Sequence, residues 1–228
     1  AMLTIACYKV GAVAHPIAMS YEEKELARSL NITESRCYFG PTFFYKTDYE
    51  DRILAVRDQV PLLKDIVLID SVKERKSDVA LLREILTSYG PLPKERCVHT
   101  KNGQDIAVIL CTSGTTGGTK GVLLTHDNVR YAEETFNREL GLTEEDIMFM
   151  PAPLHHATGF HHAIIAPMLH GAKVVLQQKY QCRLAIEFMN QENVTYSMGA
   201  TPFIYDILRE LETNGGEIPS LKFYLCGG

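Results

Sequence analysis

The features that this sequence lacks exclude several classes of protein. Acidic residues outnumber basic ones by 28 to 23, giving a formal net charge of −5, and no basic cluster interrupts that balance. Nucleic-acid binding therefore has no electrostatic footprint. No apolar run approaches the roughly 20 residues that a membrane-spanning helix needs, and the apolar start lacks the basic segment of a secretory signal. We expect a globular cytoplasmic protein without nucleic-acid partners or a membrane span.

Cysteine is present without the spacing that binds metals or forms redox pairs. The six cysteines include no Cys-x-x-Cys pair and stand at positions 7, 37, 97, 111, 182 and 226. Cys111 and Cys226 lie inside apolar strand patterns. This usage predicts buried free thiols in a reducing compartment, without a disulfide framework.

The most informative segment that is present is a loop rich in glycine and hydroxyl groups. The apolar run 107–111 predicts a buried strand, and residues 112–121 follow it with the sequence TSGTTGGTKG. Glycine lets the backbone turn its N–H groups inward, hydroxyl groups add donors, and Lys120 adds a positive charge. No acidic residue is present. This composition predicts a loop that surrounds a polyphosphate.

Counting residues separates this loop from the Walker A motif, which requires G-x-x-x-x-G-K followed by Ser or Thr. From Gly114, the second glycine position holds Thr119, and Gly121 follows the lysine. The apolar residues Val122–Leu124 then continue as a strand, so the loop is predicted to be the tip of a hairpin. The alternative interpretation is a flexible surface loop without a ligand.

The run TSGTTGGTKGV resembles the phosphate-loop signature of the adenylate-forming enzymes. That superfamily includes acyl- and aryl-CoA synthetases, luciferases and the adenylation domains of peptide synthetases. Its usual form has proline immediately before the lysine, where this chain has Thr119. The resemblance implies that the β and γ phosphates of ATP bind to Lys120 and to Thr112, Ser113, Gly114, Thr115, Thr116 and Gly117.

A second candidate site begins after an apolar strand at residues 147–150 and holds four histidines within eight residues, 155, 156, 161 and 162. One interpretation is a metal site, although no acidic residue or cysteine stands nearby at ligand spacing. Another is that the histidines pack within a helix and bond the backbone. The third is a substrate site, because ligands bind beyond the carboxyl ends of strands in α/β sheets.

The resemblance supports the third interpretation. PLHHATG is similar to the family's P-L-F-H-x-x-G segment, and the resemblance implies that His156 lines the channel between the acyl substrate and the nucleotide. Gly159 matches the glycine, and Thr158 and His162 take positions that line the acid pocket. The family's amino-acid-activating members use an aspartate in this segment. No acidic residue occurs between Asp146 and Glu187, so an α-amino acid substrate is disfavoured.

Three further segments resemble the family more weakly. Lys179 is similar to a lysine that contributes to CoA binding, although a solvated lysine at a strand end is an equal alternative. Thr201 lies in a strand–turn–proline segment that resembles one beside the acyl pocket. Gly227 and Gly228 resemble the start of a glycine turn that packs against adenine.

The alternation of strands and helices along the chain predicts an α/β fold with mainly parallel sheets flanked by helices. Within it, Asp127 is predicted to cap a helix over 128–140 that Gly141 ends. The resemblance implies a partial N-terminal AMP-binding domain over 1–228. Residues 1–104 would form a first α/β part, and 105–228 the part with the phosphate loop and acyl pocket. Both chain ends interrupt an apolar pattern, so we expect a fragment without the C-terminal domain.

The implied activity is the ATP-dependent conversion of a small-molecule carboxylic acid to an acyl-adenylate, followed by thioester formation with CoA. Lys120 and His156 would be catalytic, with His156 orienting the carboxylate, and the cofactors would be ATP, Mg²⁺ and CoA. The metal ligands are not identifiable in this sequence. We expect no adenylating activity from these 228 residues alone. The alternative is a non-catalytic nucleotide-binding module, in which Thr119 is an early sign of decay.

Overall fold

Strands and helices alternate along the chain in the computed structural model, which describes residues 1–69, 79–91, 93, 102–113 and 119–227. Its strands are β1 (Cys37–Gly40), β2 (Phe43–Phe44), β3 (Thr47–Asp48), β4 (Asp65–Leu68), β5 (Ala80–Leu81), β6 (Ile106–Ser113), β7 (Thr119–Thr125), β8 (Ile147–Met150), β9 (Lys173–Leu176), β10 (Tyr196–Gly199) and β11 (Phe223–Cys226). Its α-helices are α1 (Met2–Lys9), α2 (Glu23–Ile32), α3 (Tyr49–Val56), α4 (Leu82–Ser88), α5 (His126–Leu140), α6 (Ala157–Phe160), α7 (Ala166–His170), α8 (Cys182–Gln191) and α9 (Thr201–Asn214). The predicted α/β class is confirmed.

Contacts within the chain divide it into two compact units. The first unit contains Leu3–Lys101 and Val108–Leu123. The second contains Ala1–Met2, Asn102–Ala107 and Leu124–Gly228. The chain thus crosses between the units within β6 and again within β7. The predicted division at residue 104 stays a prediction.

The first unit is built on a parallel sheet with the order β1-β4-β5. In α2 the apolar residues Leu26, Ala27 and Leu30 recur at helical spacing and are buried, which is the pattern of a helix with one face on a core. They pack with Ile53 of α3 and Leu68 of β4 in one hydrophobic cluster. The strands β6 and β7 pair as a separate two-stranded sheet, as the hairpin prediction requires.

The second unit is built on a four-stranded parallel sheet with the order β11-β10-β8-β9. Successive side chains of β8 alternate between two buried faces, because side chains alternate along any strand. Phe149 packs with Met189 and Ile207 on one face, whereas Met148 and Met150 pack with the other cluster. Burial on both faces explains the continuous apolar run in the sequence. All four strands point the same way, so their carboxyl ends share one edge.

The start of α5 corrects a sequence prediction. The residue that caps α5 is Thr125, not Asp127, and the helix begins at His126. The Thr125 hydroxyl accepts the N–H of Asn128, and the Asn128 side chain accepts the N–H of Thr125, both at 3.1 Å. This reciprocal pair satisfies two helix-end donors, which a lone Asp127 would not. Gly141 ends the helix in the left-handed conformation at φ 62°, as predicted.

The exposure of the cysteines corrects a second prediction, that of buried thiols. The five cysteines within the described residues are free thiols, but Cys37 and Cys226 are exposed and the other three are partly buried, so burial was wrongly predicted for Cys37 and Cys226. Cys226 is exposed because it ends β11, which lies at one side of its sheet. None of the helices in the described ranges combines the length and the apolar character that a membrane crossing requires.

Candidate functional site

The carboxyl edge of the four-stranded sheet brings together segments that are distant in sequence. Pro151 follows β8 and Gly227 follows β11, and the N–H of Gly227 donates to the carbonyl of Gly199 at 3.2 Å. A Cβ at Gly199 would lie 3.0 Å from the Pro151 ring and 2.7 Å from the Tyr224 hydroxyl. Only glycine therefore lets these strand ends approach so closely. This is the edge at which parallel α/β sheets bind ligands.

His156 lies just beyond β8 and caps the short helix α6. Its Nδ1 accepts the backbone N–H of Thr158 at 3.4 Å, and the backbone N–H of His156 donates to the carbonyl of Pro153 at 3.1 Å. Because Nδ1 is the acceptor in this contact, the neutral ring carries its proton on Nε2. The side chain is exposed. His156 thus offers an N–H donor, the kind of group that binds a carboxylate oxygen.

Gly159 explains the spacing between His156 and the helix that follows it. Gly159 is buried, and a Cβ there would overlap the carbonyl oxygen of Pro153. Any larger residue would push the turn Pro153–Gly159 apart and move His156. The role that the structure gives Gly159 is therefore close packing, and its contact with a substrate stays a prediction.

His161 and His162 share one buried carboxylate that the sequence reasoning missed. His161 Nδ1 donates to Oε1 of Glu133 at 3.1 Å, and His162 Nδ1 donates to Oε2 at 2.9 Å. The Glu133 side chain is 2% exposed. Burial alone would raise the pKa of Glu133, but the two histidine hydrogen bonds outweigh it and hold that pKa below its ordinary value.

A signal for this contact is present in the sequence of α5. Val129, Glu133 and Asn137 recur every four residues and are all buried, so they lie on one face of the helix. An acid on such a face needs a buried partner. Which histidines supply it depends on packing between α5 and the later segment, which spacing alone does not fix.

The interpretation of the histidine segment as a metal site has no support among the residues described. No group of three or more His, Cys, Asp or Glu in those ranges is arranged to hold a metal ion. The fourth histidine of the segment is His155, which is partly buried. Burial, followed by the neighbouring His156, lowers the pKa of His155, so this ring is neutral at pH 7.

Two further predicted residues lie beyond the carboxyl ends of strands in this unit. Thr201 begins α9 and is exposed, and its hydroxyl lies 3.3 Å from Sγ of Cys226. Lys179 is exposed in the segment after β9. Beside it, Tyr180 packs edge-to-face on Phe203 with ring centroids 4.8 Å apart. Gly227 has open space at its α-carbon, since a Cβ there would meet nothing within 4 Å.

The structure describes only the two strand ends that flank the phosphate loop, and both belong to the first unit. Thr112 lies near the end of β6 and Lys120 near the start of β7, and both are exposed. Ser113 is the last residue of β6. Gly114, Thr115, Thr116 and Gly117 lie outside the described residues, as does Gly228.

A buried polar network fixes the strand that leads into this loop. His15 Nδ1 donates to the carbonyl of Ile109 at 3.0 Å, so its Nε2 accepts the Ser29 hydroxyl at 2.8 Å. Ser29 is fully buried, and Cys111 lies 3.7 Å from it. Burial lowers the pKa of His15, which keeps the ring neutral. The network connects α2 to β6 one residue before Thr112.

Comparison with known proteins identifies relatives across the whole chain. The model of the AMP-binding enzyme family matches residues 1–228. The medium-chain fatty-acid–CoA ligase of Escherichia coli is 39% identical over 227 residues, covering 100% of this chain and 39% of that protein. The mitochondrial malonate–CoA ligase ACSF3 of Homo sapiens is 35% identical over 164 residues, covering 69% of this chain and 27% of that protein.

Solved structures give the same fold. The inhibitor-bound N-terminal domain of FACL13 from Mycobacterium tuberculosis superposes with a TM-score of 0.82 at 22% identity, covering 99% of this chain and 53% of that one. The anthranilate CoA ligase AuaEII, in complex with anthranoyl-AMP, superposes with a TM-score of 0.82 at 20% identity, covering 97% of this chain and 41% of that one. The chain therefore spans about half the length of these proteins or less.

Proposed function

Since this chain belongs to the family of AMP-binding enzymes, we propose that it supplies the phosphate loop and the acid-binding segment of an AMP-forming acid–CoA ligase. In this reaction a carboxylate oxygen attacks the α-phosphorus of ATP and pyrophosphate leaves. The sulfur of CoA then attacks the acyl carbon, and AMP leaves with the electron pair of the broken C–O bond. The observation that carries the proposal is the 39% identity to a medium-chain fatty-acid–CoA ligase. The proposed acid is accordingly a medium-chain fatty acid.

The proposed role of Lys120 and the loop is to bind the β and γ phosphates. Lys120 and Thr112 are exposed on paired strands that lead into and out of the loop, which suits a ligand that binds across it. With Ser113, Gly114, Thr115, Thr116 and Gly117, they would supply the donors. Such donors lower the barrier because they neutralise charge on the departing pyrophosphate.

The proposed role of His156 is to orient the carboxylate for attack. Its Nε2–H, fixed by the contact between Nδ1 and Thr158, would donate to one carboxylate oxygen and leave the other for the α-phosphorus. Gain in rate comes from positioning the two reactants. Thr158, Gly159, His162 and Thr201 are the further residues proposed to surround the acid.

The proposed nucleotide and CoA contacts lie at the carboxyl edge. Gly227, with open space at its α-carbon, suits close approach of a flat adenine ring, and Gly228 follows it. Lys179 is proposed to contact CoA. Mg²⁺ is proposed to accompany ATP, but no group of His, Cys, Asp or Glu within the described ranges is built to hold it, so no step is assigned to the metal. A cytoplasmic location stays a prediction.

Calorimetry of ATP binding to this chain tests the phosphate loop. Lys120→Ala removes a charged donor and is expected to raise the Kd for ATP about tenfold or more. The matched control is Lys173→Ala, which removes an exposed lysine at the start of β9 that pairs with Glu192. Equal ATP affinity in wild type and Lys120→Ala would show that the loop is wrongly assigned.

Replacement of the matching segment of the E. coli ligase by this chain tests the activity. The chimera is expected to form the CoA thioester of octanoic acid with release of AMP, and to leave α-amino acids unused. His156→Ala in the chimera is expected to slow thioester formation while ATP binding is retained. ATP binding without any thioester, in a chimera that folds, would favour the non-catalytic nucleotide-binding module.

A further inference from the structure

Glu133 is a buried carboxylate for which the reaction proposed above has no use. It lies on α5, is 2% exposed, and gives each of its oxygens to a different histidine. A carboxylate only accepts hydrogen bonds, so both histidines must present Nδ1–H. When neutral they therefore carry their lone pair on Nε2, the reverse of His156. Neither Nε2 has a hydrogen-bond partner among the residues that the structure describes.

The local helix geometry is adapted to this double contact. Residues His161–Ile165 form a π-helical segment between α6 and α7. A π-helix holds more residues per turn than an α-helix, so successive side chains diverge by a smaller angle, and two adjacent histidines can reach one carboxylate. Single π turns of this kind are rare and occur frequently at functional sites. His162 also stacks on Phe136, with ring centroids 4.3 Å apart, which ties the segment to α5 a second time.

The histidine pair begins one residue after α6 ends, and His156 caps the other end of α6. The N–H of Phe160 donates to the carbonyl of His156 at 2.8 Å, so His156–His162 is one continuous helical run. Close packing of Gly159 on Pro153 fixes the start of this run. The run continues through the π-helical segment into α7, where Asn137 of α5 donates to the carbonyl of Ala166 at 2.9 Å. Among these contacts with α5, the hydrogen bonds of Glu133 to His161 and His162 lie nearer in sequence to His156 than the Asn137 contact does.

We propose that Glu133 is a positioning residue for the acid-binding side of the site, which holds His156 and His162 in place through the π-helical segment. The inference rests on the proposed function, because the acid is what these residues would position. Loss of the Glu133 carboxylate is expected to weaken binding of the acyl part of a ligand and to leave ATP binding unchanged.

The first test is nitrogen NMR of the imidazole rings in this chain at alkaline pH, where histidine is neutral. In the wild type, His161 and His162 are expected to carry their protons on Nδ1. Glu133→Gln leaves one acceptor oxygen and adds an NH₂ donor, so one of the two histidines must move its proton to Nε2. Unchanged tautomers in Glu133→Gln would overturn the inference, whatever the activity of the protein.

The second test is calorimetry with a non-hydrolysable octanoyl-adenylate analogue and, separately, with ATP. Glu133→Gln is expected to raise the Kd for the analogue about tenfold and to leave the Kd for ATP unchanged. The matched control is Asp146→Asn, which alters a carboxylate that is equally buried in the same unit, 4% exposed, but bonded to Lys222 and Thr195. Equal weakening by both variants would reduce Glu133 to a stability role and overturn the inference. A wild type that binds ATP but not the analogue would instead refute the proposed function.

Discussion

The two ends of the four-stranded sheet differ in the hydrogen bonding and the exposure of their polar groups. At the amino end, Asp146, Thr195 and Lys222 each stand immediately before a strand, β8, β10 and β11 respectively. Asp146 accepts hydrogen bonds at 2.8 Å from both the Lys222 ammonium and the Thr195 hydroxyl, and at 3.0 Å from the N–H of Thr143. These three polar side chains are thus bonded to one another.

At the carboxyl end the polar groups have fewer partners within the protein and are more exposed. His156, Thr201 and Gly227 are all exposed, and Gly227 faces open space. Groups that are not satisfied internally remain available to a ligand. We therefore expect the amino end to contribute mainly to stability and propose that the carboxyl end contributes to binding, since ligands meet the carboxyl edges of parallel strands.

The largest effect is expected when Asp146 is replaced by alanine. The change removes the buried carboxylate that accepts hydrogen bonds from the Thr195 hydroxyl and the Thr143 N–H. Hydrogen bonds to a charged group contribute about 1.5–3 kcal/mol each, so we expect a loss of about 3 kcal/mol in the free energy of unfolding. Urea denaturation monitored by circular dichroism measures it.

Lys222→Ala is the control for the ion pair itself. The Lys222 side chain is 61% exposed, and exposed pairs contribute less than about 1 kcal/mol. A Lys222→Ala loss as large as that of Asp146→Ala would show that the charge pair, rather than the buried network, stabilises the amino end.

The second effect is a dependence of stability on acid pH. Burial alone would raise the pKa of Asp146, but hydrogen bonds from Lys222, the Thr143 backbone and Thr195 outweigh it and lower the pKa from 3.8 to about 2. Between these values the unfolded chain binds the proton and the folded chain does not. The contribution of Asp146 to stability is therefore complete above about pH 5 and falls by about 2 kcal/mol as the pH drops to 2. Unfolding curves recorded from pH 5 to pH 2 measure this slope, and Asp146→Asn is expected to flatten it.

The third effect concerns close packing at the carboxyl end. Gly159→Ala would push a methyl group against the carbonyl of Pro153, and overpacking of this kind costs about 1–3 kcal/mol. We expect a loss of about 1.5 kcal/mol in thermal or urea unfolding. The matched control, Gly227→Ala, places its methyl group in open space. If Gly227→Ala destabilised the protein as much as Gly159→Ala, the described packing of the turn would be wrong.

Much of the fold was predictable because it depends on local patterns. The run at 147–150 alternates between two apolar faces and forms β8, and Gly141 ends α5 where a left-handed residue is required. The cap of α5 was mispredicted because Thr125 and Asp127 are both good capping residues, and only the reciprocal contact with Asn128 decides between them. Local chemistry thus located the helix but left its first residue ambiguous.

The candidate site was predictable only in part, because its contacts join residues far apart in the sequence. The position of His156 after β8 followed from the order of strand and turn. The partnership of Glu133 with His161 and His162 spans 28 and 29 residues and depends on a π-helical segment that no spacing rule anticipates. The same holds for the contact of Gly227 with Gly199. The sequence therefore leaves open which residues distant along the chain come into contact.

The smallest expected effect on stability, and the sharpest test of the comparison, is Thr201→Val. This change keeps the shape of the side chain and removes a hydroxyl whose contact is Sγ of Cys226 at an exposed strand end. We expect a change of less than about 0.5 kcal/mol in the free energy of unfolding, as for most exposed positions. Binding of the octanoyl-adenylate analogue is expected to weaken a few-fold, since one hydrogen bond contributes about 1 kcal/mol. Thr195→Val at the amino end should do the reverse, lowering stability and leaving binding unchanged. If both variants lowered stability equally and neither changed binding, the two ends of the sheet would not differ in the way described.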